Sequence, residues 1–228
     1  MKKSTVKILQ IVVEVIMLAL FIVLFISKRI QLWMILFGGS VLLTTLFGRF
    51  YCGWICPIRT VQRPLTWLKK KLHLPSRPGP SFLRRTAVRW GVLAVFVLLL
   101  IMVQVRGRQL PVLPALLVLG LLTALIFSES LWHRWLCPYG TILSLPARLS
   151  RRHLTIRQEK CISCGQCAKV CPAMAVDVTR PTESEGQKNQ KKRTYQISRA
   201  NCLLCLDCQR VCPTDTIKYD PHHKSDKA

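Results

Sequence analysis

The chain has 228 residues, half of them apolar, with 34 Lys and Arg against 10 Asp and Glu and a net charge of +24. Long apolar runs fill residues 1–131, whereas 151–228 is polar and holds eight of the eleven cysteines. That contrast excludes a single soluble globule and a disordered basic chain. The charge excess is +17 up to residue 150 and +7 beyond it, which suits the topology of a membrane protein better than nucleic-acid binding.

Four apolar stretches, 8–26, 30–47, 87–105 and 110–127, approach the ~20 residues that a helix needs to cross a bilayer. They predict four transmembrane helices. The first resembles a signal peptide in its Lys2, Lys3 and Lys7, but its apolar run is too long for one and no A-x-A site follows, so it is expected to stay uncleaved. Lys28 and Arg29 follow helix one, and Arg106 and Arg108 follow helix three. Loop 49–89 has ten basic residues and no acidic one. The count predicts a multi-pass protein of the cytoplasmic (inner) membrane, with both termini and the polar domain in the cytoplasm. Trp33, Trp90, Trp132 and Trp135 are expected at the lipid–water boundary. Leu65, Leu68 and Leu72 share a helical face beside Lys69, Lys70 and Lys71, which suggests either a segment lying in the interface plane or a solvated basic loop. Gln10 and Glu14 fall on one face of helix one, toward the bundle or a cavity.

A repeat joins the helix pairs. Cys52-x3-Cys56-Pro57 follows helix two and His133-x3-Cys137-Pro138 follows helix four, displaced by 81, with Thr60 matching Thr141. The residue before proline is disfavoured in helix, so each helix is expected to end there and free a loop. Cys52, Cys56, His133 and Cys137 could form a three-thiolate, one-imidazole site for iron, an iron–sulfur centre or copper(I). They could equally be a thiol redox pair or half-buried cysteines without function.

The polar half carries the strongest signal. Cys161-x2-Cys164-x2-Cys167-x3-Cys171-Pro172 recurs 41 residues later as Cys202-x2-Cys205-x2-Cys208-x3-Cys212-Pro213. This is the spacing of a two-cluster ferredoxin, in which the fourth Cys of each run serves the other cluster. Cys161, Cys164, Cys167 and Cys212 are therefore expected to hold one [4Fe–4S] cluster, and Cys202, Cys205, Cys208 and Cys171 the other. Zinc needs neither the third Cys nor the C-P ending, and disulfides are disfavoured in the cytoplasm. Val176 and Ile217, equivalent after each C-P, are expected to line a shared core. The stretch 179–198 reads as a surface excursion whose Lys188, Lys191, Lys192 and Arg193 could steer an acidic redox partner. The expected fold is thus an α-helical membrane domain, 1–150, of two repeated helix pairs, followed by a small α+β ferredoxin-like domain, 151–228.

Four helices, "FGRFYCGWICP" after the second, a C-P element after the fourth and a double ferredoxin at the end resemble the NapH/NosR-type membrane polyferredoxins over nearly the whole chain. The resemblance implies a quinol-dehydrogenase component of a respiratory nitrate or nitrous-oxide reduction system. Such a protein takes electrons from membrane quinol, its substrate, and passes them to a reductase complex or redox partner protein. Two positions depart from the family pattern. His133 stands where it has Cys, and Arg59 where it has Gly after C-P-x. The leading expectation is therefore an electron-transfer protein in lipid with no nucleic-acid partner. Alternatives are a membrane reductase or maturation factor handling copper or iron for a partner metalloprotein, and a redox-sensing regulator. The apolar stretches hold no histidine, which disfavours b-type haem.

Overall fold

The computed structural model describes residues 3–73, 79–105, 112–179 and 193–221. Arg106, Arg108, Lys188, Lys191 and Lys192 lie outside the described residues. All four apolar stretches are helical. α1 (Lys3–Ile26) and α5 (Thr86–Val105) are long and apolar enough to cross a membrane, whereas α2 (Gln31–Phe47) and α6 (Val112–Ile126) are shorter, at 17 and 15 residues.

α2 stops at Gly48, whose φ of 75° suits a residue without a side chain and whose N–H bonds the Thr44 carbonyl. The chain then turns back on itself. In the short helix α3 (Phe50–Trp54), the Tyr51 hydroxyl accepts a 2.8 Å bond from the indole of Trp33. Trp33 lies near the opposite end of α2, about 21 Å from Phe47 at 1.5 Å per residue. The first C-P element is therefore folded back among the apolar helices. Trp33, expected at the lipid boundary, is 1% exposed, and Trp132 is buried likewise, whereas Trp90 is exposed. Trp33 meets Phe21 edge-on at 5.2 Å, and the Trp132 ring packs against Gly120 of α6.

No loop follows the C-P step. Cys56 is extended (ψ 116°), as a residue before proline should be, and a new helix, α4 (Pro57–Lys71), starts at once. Proline suits a first helical position because no bond is lost with its missing N–H. α4 is neither a solvated loop nor an isolated surface helix. It packs between α1 and α6, with Trp67, Leu68 and Leu72 left exposed. Gln62 donates to the Gly120 carbonyl at 2.7 Å. The Lys69 ammonium, 6% exposed, donates to the carbonyls of Ala124 and Leu125 at 3.0 Å and of Phe127 at 3.4 Å. It thereby satisfies the orphan carbonyls and negative pole at the end of α6. Lys69→Met should cost about 2 kcal/mol, read as a lower thermal midpoint in detergent with no change in cysteine-bound metal.

Glu14 has a partner. Arg63 of α4 donates to both its carboxylate oxygens, at 2.7 and 2.6 Å. One turn earlier, Gln10 donates to the Gly53 carbonyl at 2.7 Å and accepts from Arg210. This polar face of α1 anchors α3, α4 and the cysteine-rich half.

The second copy runs through α7 (Glu129–Leu131), a π-helical turn (Trp132–Leu136) and α8 (Pro138–Ala147), again beginning at the proline. Tyr139 stacks edge-on against Phe37 of α2 at 4.6 Å and Phe96 of α5 at 5.2 Å.

The polar half is two copies of strand, cysteine loop, short helix and strand. β1 (Arg152–Ile156), α9 (Gln166–Val170) and β2 (Val176–Thr179) form the first; β3 (Thr194–Ile197), α10 (Asp207–Val211) and β4 (Ile217–Pro221) form the second. Pairing is crossed: β1 runs antiparallel to β4, and β2 to β3. Val176 and Ile217 do open equivalent strands, but in different sheets; Ile217 is buried and Val176 half-buried.

Candidate iron–sulfur sites

The crossed strands explain how cysteines far apart in sequence meet. β4 leaves the second run beside β1, which leads into the first, so Cys212 returns to the first loop. Cys161, Cys164, Cys167 and Cys212 line one cavity, closed by Ile156, Ile162, Tyr195 and Ile217. Likewise β2 carries Cys171 to the second loop. Burial pushes the Cys208 thiol up, and Cys205, Cys202 and Cys171 add to the rise. Cys212 thus shares a cavity with Cys161, Cys164 and Cys167, and Cys171 lies within electrostatic reach of Cys202 and Cys208.

Each loop is shaped to face an anion. Ser163 and Gly165 of the first have φ of 55° and 72°, and the equivalent Leu204 and Leu206 of the second 52° and 61°. Left-handed residues in such a turn curl successive backbone N–H groups into a concavity that suits anions and iron–sulfur groups. Backbone N–H groups reach the sulfurs themselves: Leu204 bonds Cys202, Asp207 bonds Cys205, and Thr214 and Thr216 bond Cys212. Burial raises the Cys202 thiol to about 11. Burial also acts upward on Cys212, but hydrogen bonds from Thr216 and Thr214 outweigh it and hold it at about 7. Four thiols around an apolar cavity, with N–H donors aimed at the sulfurs, fit a cubane cluster.

The sets differ in exposure. Cys202, Cys205 and Cys208 are buried, Cys164 is exposed, and Cys161, Cys167, Cys171 and Cys212 are intermediate. The inner set abuts the first C-P element. The indole of Trp54 donates to the Leu204 carbonyl at 3.1 Å, and Gly53 packs its bare Cα against Leu203, Leu204 and Cys205.

Within the C-P elements, Cys52, Cys56 and Cys137 converge. Burial raises Cys56 well above the usual thiol range and Cys137 to about 12, and the neighbouring thiols act in the same direction. Cys56 and Cys137 each precede a helix, and their sulfurs accept N–H bonds from Ile58 and Arg59 and from Tyr139 and Gly140. Arg49 approaches Cys52 at 3.7 Å. His133 is buried and held neutral, down to about 3, by burial and then by Arg59 and Arg49; its Nε2 meets no partner among the described residues. Among the described residues, no three His, Cys, Asp or Glu side chains come close enough to hold a single metal ion. Arg49 entered the sequence analysis only as a loop charge and Arg59 only as a loop charge and a departure from the family pattern, so neither was expected beside these cysteines.

A family model described as a 4Fe-4S binding domain matches twice, over residues 30–75 and 109–157, once per copy of the helix-pair repeat. A 4Fe-4S dicluster domain matches 160–216. The chain is 30% identical to the methylamine utilization ferredoxin-type protein MauN of Methylobacillus flagellatus, over 55% of this chain and 48% of that protein. It is 28% identical to the ferredoxin-type protein NapH of Haemophilus influenzae, over 62% and 54%, and 29% identical to the regulatory protein NosR of Pseudomonas aeruginosa, over 67% and 24%. The chain spans about half the length of the first curated relatives it matches. A dicluster model on the two cysteine loops, a 4Fe-4S binding model on each helix-pair repeat and these relatives together support a NapH/NosR-type polyferredoxin, a ferredoxin-type iron–sulfur protein related to NapH and MauN.

Proposed function

We propose that the chain passes electrons between the quinol pool and a respiratory reductase or its redox partner. The packing of Gly53 and Trp54 on the Leu203–Cys205 backbone carries this reading, because it joins an element folded among apolar helices to a cysteine loop. Cys202, Cys205, Cys208 and Cys171 would hold an inner [4Fe–4S] cluster, and Cys161, Cys164, Cys167 and Cys212 an outer one. Bound clusters supply one-electron transfer. The protein supplies the order: the inner set adjoins the membrane half, while exposed Cys164 and Ile162 mark the face for a partner. α1, α2, α5 and α6 would span the cytoplasmic membrane, residues 1–150 forming the membrane domain, with both termini and the domain 151–228 in the cytoplasm. Cys52, Cys56 and Cys137, with His133, would form a further redox site between quinol and the inner set.

The convergence of three thiols beside a neutral imidazole also favours a second reading, a membrane reductase or maturation factor handling copper or iron. We prefer the first because Gly53 and Trp54 of the same element pack on the Leu203–Cys205 backbone. The test is the full chain in liposomes with a short-chain quinol, followed by electron paramagnetic resonance. Signals of reduced clusters should appear with quinol. Clusters that dithionite reduces and quinol never does would overturn the reading.

A further inference from the structure

We infer that Arg59, Asp207 and Arg210 form a charge set that fixes the reduction potential of the group held by Cys202, Cys205, Cys208 and Cys171. The inference rests on the reading above that these residues hold a cluster. Arg59 is 3% exposed, and its Nη2 donates to Asp207 at 2.9 Å. Asp207 stands in the loop between Cys205 and Cys208, and its second oxygen accepts from Arg210 at 2.6 Å. Two guanidiniums thus share one carboxylate, leaving an excess positive charge against the loop.

Arg59 is also under-bonded. Its Nε and Nη1 are buried and meet no hydrogen-bond partner among the described residues. Arginine stays ionised in proteins, and a buried cation with unmet donors persists only where something anionic compensates it. Burial opposes the charge on Arg59; of the groups that favour it, Cys205 acts most strongly, ahead of Asp207, Glu129 and Glu14. Arg49 flanks the same loop, donating to the Ala200 carbonyl at 3.0 Å beside Cys202.

The physics then fixes a sign. One-electron reduction adds a negative charge to a group already anionic through four thiolates. A fixed cation in a poorly solvated wall stabilises the reduced form more than the oxidised one. Arg59 therefore raises the potential of the inner group and Asp207 lowers it. The cavity of the outer set is lined by neutral side chains, so the effect is selective.

The test is a redox titration of the full chain in detergent, followed by electron paramagnetic resonance, with iron and sulfide content as the control. The inner signal is the one lost in Cys205→Ala. Arg59→Met should shift its midpoint to more negative potential, by at least tenfold in the reduction equilibrium or 59 mV for a one-electron couple. Asp207→Asn should shift it the opposite way, Arg59→Lys should stay near the unaltered protein, and the outer signal should not move. Unchanged inner midpoints at full iron content, or shifts of both signals together, would overturn the inference. Should Arg59→Met lose iron, Asp207→Asn decides alone, since Asp207 is partly exposed; an unmoved or lowered midpoint there refutes it. Absence of clusters from the unaltered protein would instead sink the underlying reading.

Discussion

Gly53→Ala should uncouple the membrane half from the cysteine loops. A methyl group at this position would lie 2.2 Å from the Leu203 carbonyl oxygen, 3.0 Å from the Leu204 carbonyl carbon and 3.1 Å from the Cys205 nitrogen. All three are backbone atoms, so no side chain can swing aside. Gly53 lies within helix α3, where alanine is conformationally welcome, so the cost is purely steric. Overpacking of this kind costs about 3 kcal/mol, roughly a hundredfold in the docked population. Quinol-driven reduction of the clusters should fall accordingly, while dithionite still reduces them. Gly39→Ala is the control. Nothing lies within 4 Å of the added methyl, and electron transfer should be unaffected. Normal quinol-driven rates in Gly53→Ala would mean that electrons do not cross at this contact.

The double replacement Cys56→Ala, Cys137→Ala should abolish electron transfer from quinol and leave the eight cysteines of the polar half fully loaded. The two sulfurs share a buried space with Cys52, and each takes two backbone N–H bonds at the start of its helix. Such bonds favour a charged or metal-bound sulfur over a thiol. As mere packing groups these cysteines would cost only about 1 kcal/mol each on truncation, which would lower thermal stability and spare the rate. His133→Cys should be tolerated, because the imidazole is already neutral and buried. A full rate of quinol-linked reduction in the double variant would make these residues structural and the two cysteine loops the whole redox apparatus.

The cysteine loops were legible in the sequence because ligand spacing is a local property. Two runs displaced by 41 residues gave the sets, and the crossed pairing of β1 with β4 and β2 with β3 is the fold that lets each fourth cysteine change sides. The helix-pair repeat was equally legible. The behaviour of the chain after each C-P step was not. The backbone rule for Cys56 and Cys137 held, yet proline also opens helices well, so α4 and α8 begin where a loop was expected. Trp33 and Trp132 read as boundary residues because helix ends usually lie there; α3 folds back over Trp33, and Trp132 is buried against Gly120 of α6 instead. The basic loop misled in a similar way. Arg49, Arg59, Arg63, Lys69 and Arg89 were counted as charges facing the cytoplasm, but each is bonded to another part of the chain. A charge count cannot tell a solvated cation from a buried one, because the partner of a buried cation can lie far away in sequence; Asp207 is 148 residues from Arg59.

The eight cysteines of the polar half differ in burial, with Cys202, Cys205 and Cys208 buried and Cys164 exposed. The most direct test of two clusters on them is the iron and acid-labile sulfide content of the full chain, purified without oxygen in detergent, beside that of Cys164→Ala. The expected content is roughly eight irons and eight sulfides per chain, that of two cubanes, and about half of each in the variant, whose remaining cluster would be the buried one. Stoichiometric zinc with no labile sulfide in the unaltered protein would contradict it.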